Sequence, residues 1–253
     1  MSEMNPIPLF LKKKTKNFIK GIRWIFVVFV FAGISCKKEN SHKPDTSYNP
    51  VILAADFTNS TSLTNPYFQY QPGKKYIYEG QTADGFEHTE DSLLGETKQI
   101  MGITCVVVQD KIWLDGKPEE LTFDWYAQDD SGNVWYFGED VTSYNPDGSV
   151  KDHEGAWAAG VNGAKPGYAM LANPQVGNHY RQEYYFNVAE DEAEVVEQGL
   201  TVTAPYGTFQ NCIKIKETTV LEPDVTGYKY YAPGIGQVSE EEGSSVSKLI
   251  SIQ

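Results

Sequence analysis

The stretch VVVQDKIWLDG, residues 106–116, decides the fold. It opens on three β-branched residues, Val106 to Val108, which favour extended backbone. It ends on Asp115-Gly116, a pair that supplies the positive φ angles of a tight hairpin turn. Similar β-rich segments, separated by further Asp-Gly and Gly-Asn turn signals, follow on both sides, without a long helical period. The sequence therefore predicts a mainly β protein, either an antiparallel sandwich or a half-open barrel.

The chain from residue 66 onward resembles two related halves of about 105 residues each, far longer than solenoid repeats. Four landmarks recur in the same order with a nearly constant offset. They are Gly73-Lys-Lys-Tyr76 with Gly177-Asn-His-Tyr180, Cys105 with Cys212, Tyr126-Ala127 with Tyr231-Ala232, and Gly132-Asn-Val134 with Gly236-Gln-Val238. We predict one β domain over residues 66–253, in which halves of about 66–155 and 170–253 share a core.

The N-terminal region has the features of a bacterial lipoprotein signal. Basic residues precede a short apolar run, Trp24 to Ser35, and Cys36 follows at once. A helix needs about 20 apolar residues to cross a membrane, so this run fits a cleaved signal better than a permanent anchor. We predict a signal peptide over 1–35, a lipidated Cys36 and a polar tether over 36–65. Gly33, where leucine is usual, leaves ordinary cleavage without a lipid as the alternative.

Charge limits the partners. The chain carries a formal net charge of −13, and 6 of its 21 basic residues but only 1 of its 34 acidic residues fall within residues 1–35. The remainder is strongly acidic and would repel nucleic-acid phosphates. The expected partners are therefore a membrane, through the lipid anchor, and a glycan, a lipid or an envelope protein. The expected location is the bacterial cell envelope outside the cytoplasm, in the outer membrane or the periplasm.

Several motifs resemble those of a family of bacterial secreted proteins and lipoproteins with no established activity. They include DWYAQDDSGNVWYFGE over residues 124–139 and KYYAPGIG over residues 229–236. The resemblance extends over roughly residues 66–240. It implies export but no activity, and it assigns a role to no residue.

The sequence contains no motif that is typical of a catalytic or metal-binding site. No zinc spacing, nucleophile elbow or phosphate-binding loop occurs, so no metal, cofactor or catalytic residue is predicted. Asp129-Asp130-Ser131-Gly132-Asn133 fits a hairpin turn better than a calcium loop, because its acidic residues do not alternate. Cys105 and Cys212 are either small buried side chains or, in an oxidising compartment, a disulfide.

Aromatic residues give the main indication of ligand binding. Trp157, in a segment rich in glycine and alanine, and Trp135 are the candidate ligand contacts, since aromatic faces stack on sugars and enclose apolar ligands. Packing within a β core is the competing explanation. A non-enzymatic binding or interaction module is the first hypothesis. A hydrolase with two carboxyl groups acting on glycan, and a structural envelope scaffold, are the alternatives. Whether the protein is an enzyme stays open, with the balance against it.

Overall fold

The computed structural model describes residues 42–253. Over this range the chain forms fifteen β-strands and one short 3₁₀ helix, Ala54–Asp56. The strands are β1 (Lys75–Gln81), β2 (Phe86–Ile100), β3 (Ile103–Leu114), β4 (Lys117–Gln128), β5 (Val134–Tyr144), β6 (Val150–Asp152), β7 (Trp157–Ala158), β8 (Lys165–Met170), β9 (His179–Arg181), β10 (Glu183–Tyr184), β11 (Asp191–Ala204), β12 (Gly207–Thr219), β13 (Gly227–Ala232), β14 (Gly236–Glu242) and β15 (Ser245–Ile252). No helix among the described residues is long and apolar enough to cross a membrane.

One antiparallel sheet contains all these strands. Its order is β10-β8-β5-β4-β3-β2-β1-β15-β14-β13-β12-β11-β9, with β6 and β7 both paired to β5. The two ends of this path, β9 and β10, are neighbours in the chain and only Gln182 separates them. The sheet therefore curls until its edges nearly meet, and the prediction of a mainly β, half-open barrel is confirmed.

We call the place where the edges meet, residues 179–184, the seam. Gly167 of β8 packs directly against it, because a Cβ atom at this position would lie 2.4 Å from the carbonyl oxygen of Arg181. Glu183 and Tyr184 pair with Pro166 and Lys165 on one side of the seam, whereas β9 pairs with β11 on the other. A side chain at Gly167 would push the two edges apart.

The strand pattern repeats along the chain. A long hairpin of β2 and β3 leads into β4 and β5, and a second long hairpin of β11 and β12 leads into β13 and β14. Both hairpins contain register shifts, in β2 after Leu93 and in β11 after Val195. This repeated order of strands is what two related halves would produce. The duplication itself stays a prediction.

The described part of the N-terminal region lies against the sheet. Residues 42–48, which we call the strap, cross the seam. There Asp45 contacts Arg181 at 3.1 Å, and the hydroxyl of Tyr48 donates to the carbonyl of Pro166 at 2.7 Å. The strap is thus fixed to both edges of the sheet. Residues 36–41 of the predicted tether and the whole predicted signal peptide lie outside the described residues.

Residues 54–74, which we call the cap, cover one end of the barrel. Phe57 and Phe68 are buried in two of the three hydrophobic clusters that form the core. Asn65 is almost fully buried and donates through Nδ2 to the carbonyls of Gly132 and Leu171, both at 2.9 Å. These bonds tie the cap to two connections at that end of the barrel.

Candidate functional site

A cavity of about 160 Å³ lies on the concave side of the sheet, beneath the cap. Its wall is acidic and rich in tyrosine. Eight side chains that we call the carboxyl cluster line it: Asp91, Asp110, Glu120, Asp124, Glu139, Glu183, Asp191 and Glu240. Four side chains that we call the tyrosine ring line it as well: Tyr70, Tyr126, Tyr136 and Tyr231. Two classes of side chain thus face one enclosed space.

Strand β4 contributes most to this wall. Alternate side chains of a strand point to the same face, and Glu120, Thr122, Asp124 and Tyr126 all line the cavity. The residues between them, such as Trp125, face the other way into a hydrophobic cluster. Ordinary strand periodicity therefore separates one polar face from one apolar face.

A β-bulge in β5 brings Glu139 to the same wall. Asp124 pairs with Glu139 and Tyr126 pairs with Tyr136, so β5 has one residue more than β4 between these two pairs. Gly138 occupies the bulge with φ +131°. Both Tyr136 and Glu139 line the cavity as a result, although strict alternation would place them on opposite faces.

Hydrogen bonds fix several of these groups. The hydroxyl of Tyr136 donates to Oδ1 of Asp124 at 2.6 Å, and the hydroxyl of Thr122 donates to Oε1 of Glu120 at 2.8 Å. Glu120 is only 5 % exposed, yet its Oε2 has no hydrogen-bond partner among residues 42–253. A buried polar oxygen without a partner costs about 1–3 kcal/mol. This atom is therefore available to a ligand.

Burial changes the acidity of the wall. It raises the pKa of Asp124 to about 7, against the opposing effect of the Tyr136 hydrogen bond. Burial also raises the pKa of Glu120 and of Glu139 well above the usual range, and nearby carboxylates such as Glu183 raise that of Glu139 further. Charged carboxylates lose hydration when buried and repel one another. The wall therefore favours the protonated forms of these acids, and Asp124 changes its charge close to neutral pH.

Glu183, which lies in the seam, and Asp191 are buried carboxyl groups that interact with each other. Burial raises the pKa of both, and their mutual interaction favours a proton on Asp191 and a charge on Glu183. The indole of Trp157 also stabilises the charged form of Glu183. Two interacting carboxyl groups, one with a strongly raised pKa, are what the hydrolase hypothesis requires of its acid and its second carboxylate.

One ammonium group already lies close to this interior. Lys229 of β13 contacts Oε2 of Glu217 at 3.0 Å, and Glu217 is only 1 % exposed. The amide of Gln182, at the seam, donates to the other oxygen of Glu217 at 2.8 Å. The positive charge of Lys229 lowers the pKa of Asp124 and Glu183, although burial outweighs it. The interior thus holds an alkylammonium ion paired with a carboxylate.

The two tryptophans predicted to contact a ligand are both buried. Trp157 lies in β7, is 4 % exposed and packs edge-on against Tyr136 with 5.4 Å between ring centroids. Trp135 donates its indole N–H to Asp129 at 2.8 Å and stands beside Tyr168. Neither is among the residues that line the cavity. Ligand contact by either stays a prediction, and Trp157 approaches the site only through Tyr136 and Glu183.

Cys105 and Cys212 lie in different parts of the hydrophobic core. Cys105 lies in the hydrophobic cluster that contains Trp125, and Cys212 lies in another cluster with Tyr76 and Leu249. Both thiols are free and fully buried, and burial raises the pKa of both. The structure therefore does not bring them together. Cys36, the predicted lipidation site, lies outside the described residues.

Metal binding gains no support from the described part of the chain. No three His, Cys, Asp or Glu side chains in residues 42–253 form a group that could hold a metal ion. In the 129–133 segment, Asp129 accepts hydrogen bonds from the backbone N–H groups of Ser131 and Asn133. Its oxygens organise a hairpin turn, as the sequence indicates, and are occupied by N–H donors.

The comparisons with known proteins find likeness in fold only. No protein-family model matches the sequence, and no curated protein matches it significantly. A crystal structure described as an exported protein with a YmcC-like fold, from Bacteroides fragilis, is 20 % identical over 74 % of this chain and 98 % of that one, with a TM-score of 0.42. A lipoprotein from Parabacteroides distasonis is 13 % identical over 75 % of this chain and 99 % of that one, with a TM-score of 0.40. At these scores no residue of the cavity is matched to a residue of either protein.

Proposed function

We propose that this chain is a lipid-anchored cell-envelope protein that binds a small ligand inside its β domain without converting it. The observation that carries the proposal is the cavity, in which eight carboxyl groups and four tyrosines face one space of about 160 Å³. Convergent polar groups in a mostly buried pocket are the usual mark of a ligand site. A structural scaffold would need no such cavity.

The envelope location rests on the sequence. The basic region, the apolar run Trp24 to Ser35 and the cysteine that follows fit a signal for export and lipid attachment. Lipidation of Cys36 would hold the β domain at a membrane surface. The binding site would then sample small molecules outside the cytoplasm.

Filling the cavity tests the binding role. Ala169 of β8 lines the cavity, so the leucine of an Ala169→Leu variant would occupy part of the space that a ligand needs. Ligands would be detected by thermal shift in a library of small amines, sugars and carboxylic acids, and by native mass spectrometry of protein purified from its own envelope. We expect Ala169→Leu to lose at least tenfold in affinity for any hit, a loss of about 1.4 kcal/mol.

The matched control is Val161→Leu, which enlarges an exposed side chain far from any cavity contact. It should bind as the wild type does. Equal affinity of Ala169→Leu and wild type, with both variants folded, would place the ligand elsewhere and overturn the proposed site.

Hydrolysis is the second candidate function. One observation favours it: Glu183 and Asp191 are interacting buried carboxyl groups, and burial raises the pKa of both. The size of the cavity argues against a glycan substrate, since sites for drug-sized ligands usually measure about 300–1,000 Å³. Hydrolysis of chromogenic glycosides by the wild type, lost in Glu183→Gln and Asp191→Asn, would establish the enzyme in place of the binding module.

A further inference from the structure

We propose that the ligand of this cavity is a small organic ammonium ion, which takes the place of protons on the carboxyl cluster when it binds. The inference rests on the proposed binding function and specifies its ligand class. Three features of the site support it: the unbalanced charge, the free oxygen of Glu120 and the aromatic faces beside it.

The acids that line the cavity favour a cationic ligand over an anionic one. Eight carboxyl groups line the cavity, and no lysine or arginine is among the residues that line it. Burial favours the protonated form of a carboxyl group, because the charged form loses hydration. A bound cation would favour the charged form and would therefore compete with the proton. An anionic ligand would add to the repulsion.

The geometry suits an ammonium head with a short carbon chain. Glu120 lines the cavity, its side chain is only 5 % exposed, and its Oε2 atom has no hydrogen-bond partner among residues 42–253. Tyr126 and Tyr136 stack with 4.9 Å between centroids beside the Asp124–Glu139 pair. Aromatic faces attract organic cations, and carboxylates pair with their N–H groups. A cavity of about 160 Å³ lies below the range of about 300–1,000 Å³ that is usual for drug-sized ligands, so a cation with a short carbon chain suits it.

The Lys229–Glu217 pair shows that the barrel interior accommodates this chemistry. There a primary ammonium group is held by a carboxylate that is almost fully buried, with Gln182 as a further donor to the same carboxylate. A free amine in the cavity would repeat that arrangement with Glu120 or Asp124. Lys229 does not line the cavity, whereas eight carboxyl groups do.

Proton displacement gives binding a pH dependence. The carboxyl cluster brings titratable groups from β2, β3, β4, β5, β10, β11 and β14, and the tyrosine ring adds phenols from the cap, β4, β5 and β13. Glu217 of β12 and Lys229 of β13 stand close by as an ion pair. Burial raises the pKa of Glu120, Asp124, Glu139, Glu183 and Asp191, and the pKa of Asp124 lies at about 7. A cation should therefore bind more tightly as the pH rises through this range.

Calorimetry with three probes of equal chain length tests the ligand class. The probes are n-butylamine, 1-butanol and sodium butyrate, which are cationic, neutral and anionic at pH 6 and pH 8. We expect n-butylamine alone to bind, about tenfold more tightly at pH 8 than at pH 6 if one proton with a pKa of about 7 is displaced. Measurements in two buffers of different ionisation enthalpy would count the protons released.

Two variants on the same strand provide the internal comparison. Glu120→Gln keeps the shape of the side chain but removes the charge that would pair with the amine, so n-butylamine should bind at least tenfold more weakly. Glu119→Gln makes the same change in charge one residue away, at a position that does not line the cavity, and should bind as the wild type does. Equal affinity of both variants would overturn the assignment to the cavity.

The remaining outcomes separate the ligand class from the binding function. Tight binding of 1-butanol or butyrate, lost in Ala169→Leu, would overturn the ammonium proposal while the binding function stands. Binding of Ca²⁺ in competition with n-butylamine would replace the organic cation with a metal ion. No binding of n-butylamine at either pH would overturn the inference outright. Failure of the wild type to bind any compound of the library in the earlier experiment would instead remove the binding function itself.

Discussion

Asp124 is the residue whose chemistry depends most on its place in the fold. In an unfolded chain its pKa is near 3.8, and in the folded protein burial raises the pKa to about 7. The folded state therefore binds this proton more tightly than the unfolded state does. Its contribution to stability is fully present below pH 4 and is lost as the pH rises through about 7.

Replacing Asp124 by asparagine should remove this pH dependence. The Oδ1 atom of asparagine can still accept the hydrogen bond from Tyr136, but the side chain cannot acquire a charge. We expect Asp124→Asn to be more stable than the wild type at pH 8, because the variant does not bury a charged carboxylate. Each kcal/mol gained in the free energy of unfolding should raise the Tm by about 2–4 °C. Near pH 4, where Asp124 is protonated, the two proteins should melt within about a degree of each other.

Differential scanning calorimetry from pH 4 to pH 8 checks this expectation. Asp147→Asn is the control, because Asp147 is exposed and hydrogen bonds from Ser149 lower its pKa, so it is charged throughout that range. The Tm of the Asp147→Asn variant should change with pH as steeply as the Tm of the wild type does. If Asp124→Asn and the wild type had the same slope of Tm against pH, Asp124 would be ionised at neutral pH. The cavity would then hold no proton on this residue.

At the scale of the element, the bulge in β5 makes the site. A regular strand from Val134 to Tyr144 would turn either Tyr136 or Glu139 away from the cavity. Gly138 permits the bulge in two ways. Its φ of +131° is rarely adopted by a residue with a side chain, and a Cβ atom there would lie 2.3 Å from the carbonyl oxygen of Trp157.

Gly138→Ala should therefore destabilise the protein by about 1–3 kcal/mol and displace Glu139 from the cavity. Gly148→Ala is the matched control, because Gly148 also has a positive φ, +83°, but has open space where a Cβ would stand. The difference between the two variants in urea-induced unfolding isolates the contact with Trp157. Equal losses of stability would show that the strand accommodates the methyl group and that the bulge does not depend on this contact.

The elements were easier to predict from the sequence than the site. The valines at 106–108 and the Asp115-Gly116 turn indicate β3 and its hairpin, because extended propensity and turn chemistry are local properties. Along β4, Glu120, Thr122 and Asp124 alternate with apolar residues, which is the pattern of a strand with one face in solvent. The acids face a cavity instead because the sheet curls back on itself. That closure depends on long-range contacts such as Gly167 against Arg181, which no local pattern reveals.

The aromatic residues show the same limit. Trp157 sits among glycines and alanines, a composition typical of an exposed connection, but its segment folds onto β5 and its ring packs against Tyr136. The cap was equally hard to anticipate, since its polar composition resembles a linker. A few large apolar and aromatic residues, Phe57, Leu63, Tyr67, Phe68 and Tyr70, mark it as a segment with a hydrophobic side to bury.

At the scale of the whole molecule, the strap links the predicted anchor to the binding site. His42 contacts the buried Glu190 at 2.8 Å, and Asp45 contacts Arg181 at the seam. Five residues separate Cys36 from His42, so the six steps from one Cα to the other span no more than about 22 Å when fully extended. A lipid on Cys36 would therefore keep the seam, with Gln182, Glu183 and Asp191 beside it, close to the membrane surface.

This arrangement depends on one thiol. Cys36→Ala should release the protein from the membrane fraction and abolish its labelling with radioactive palmitate, because the variant offers no sulfur to the diacylglycerol. Cys105→Ala is the control: its thiol is buried in the β domain, so the variant should stay membrane-bound and labelled, with a lower Tm from the lost packing. Membrane retention of Cys36→Ala without label would instead make the apolar run Trp24 to Ser35 the anchor. The β domain would then be held by an uncleaved segment, and the short lipid-to-seam distance would no longer follow.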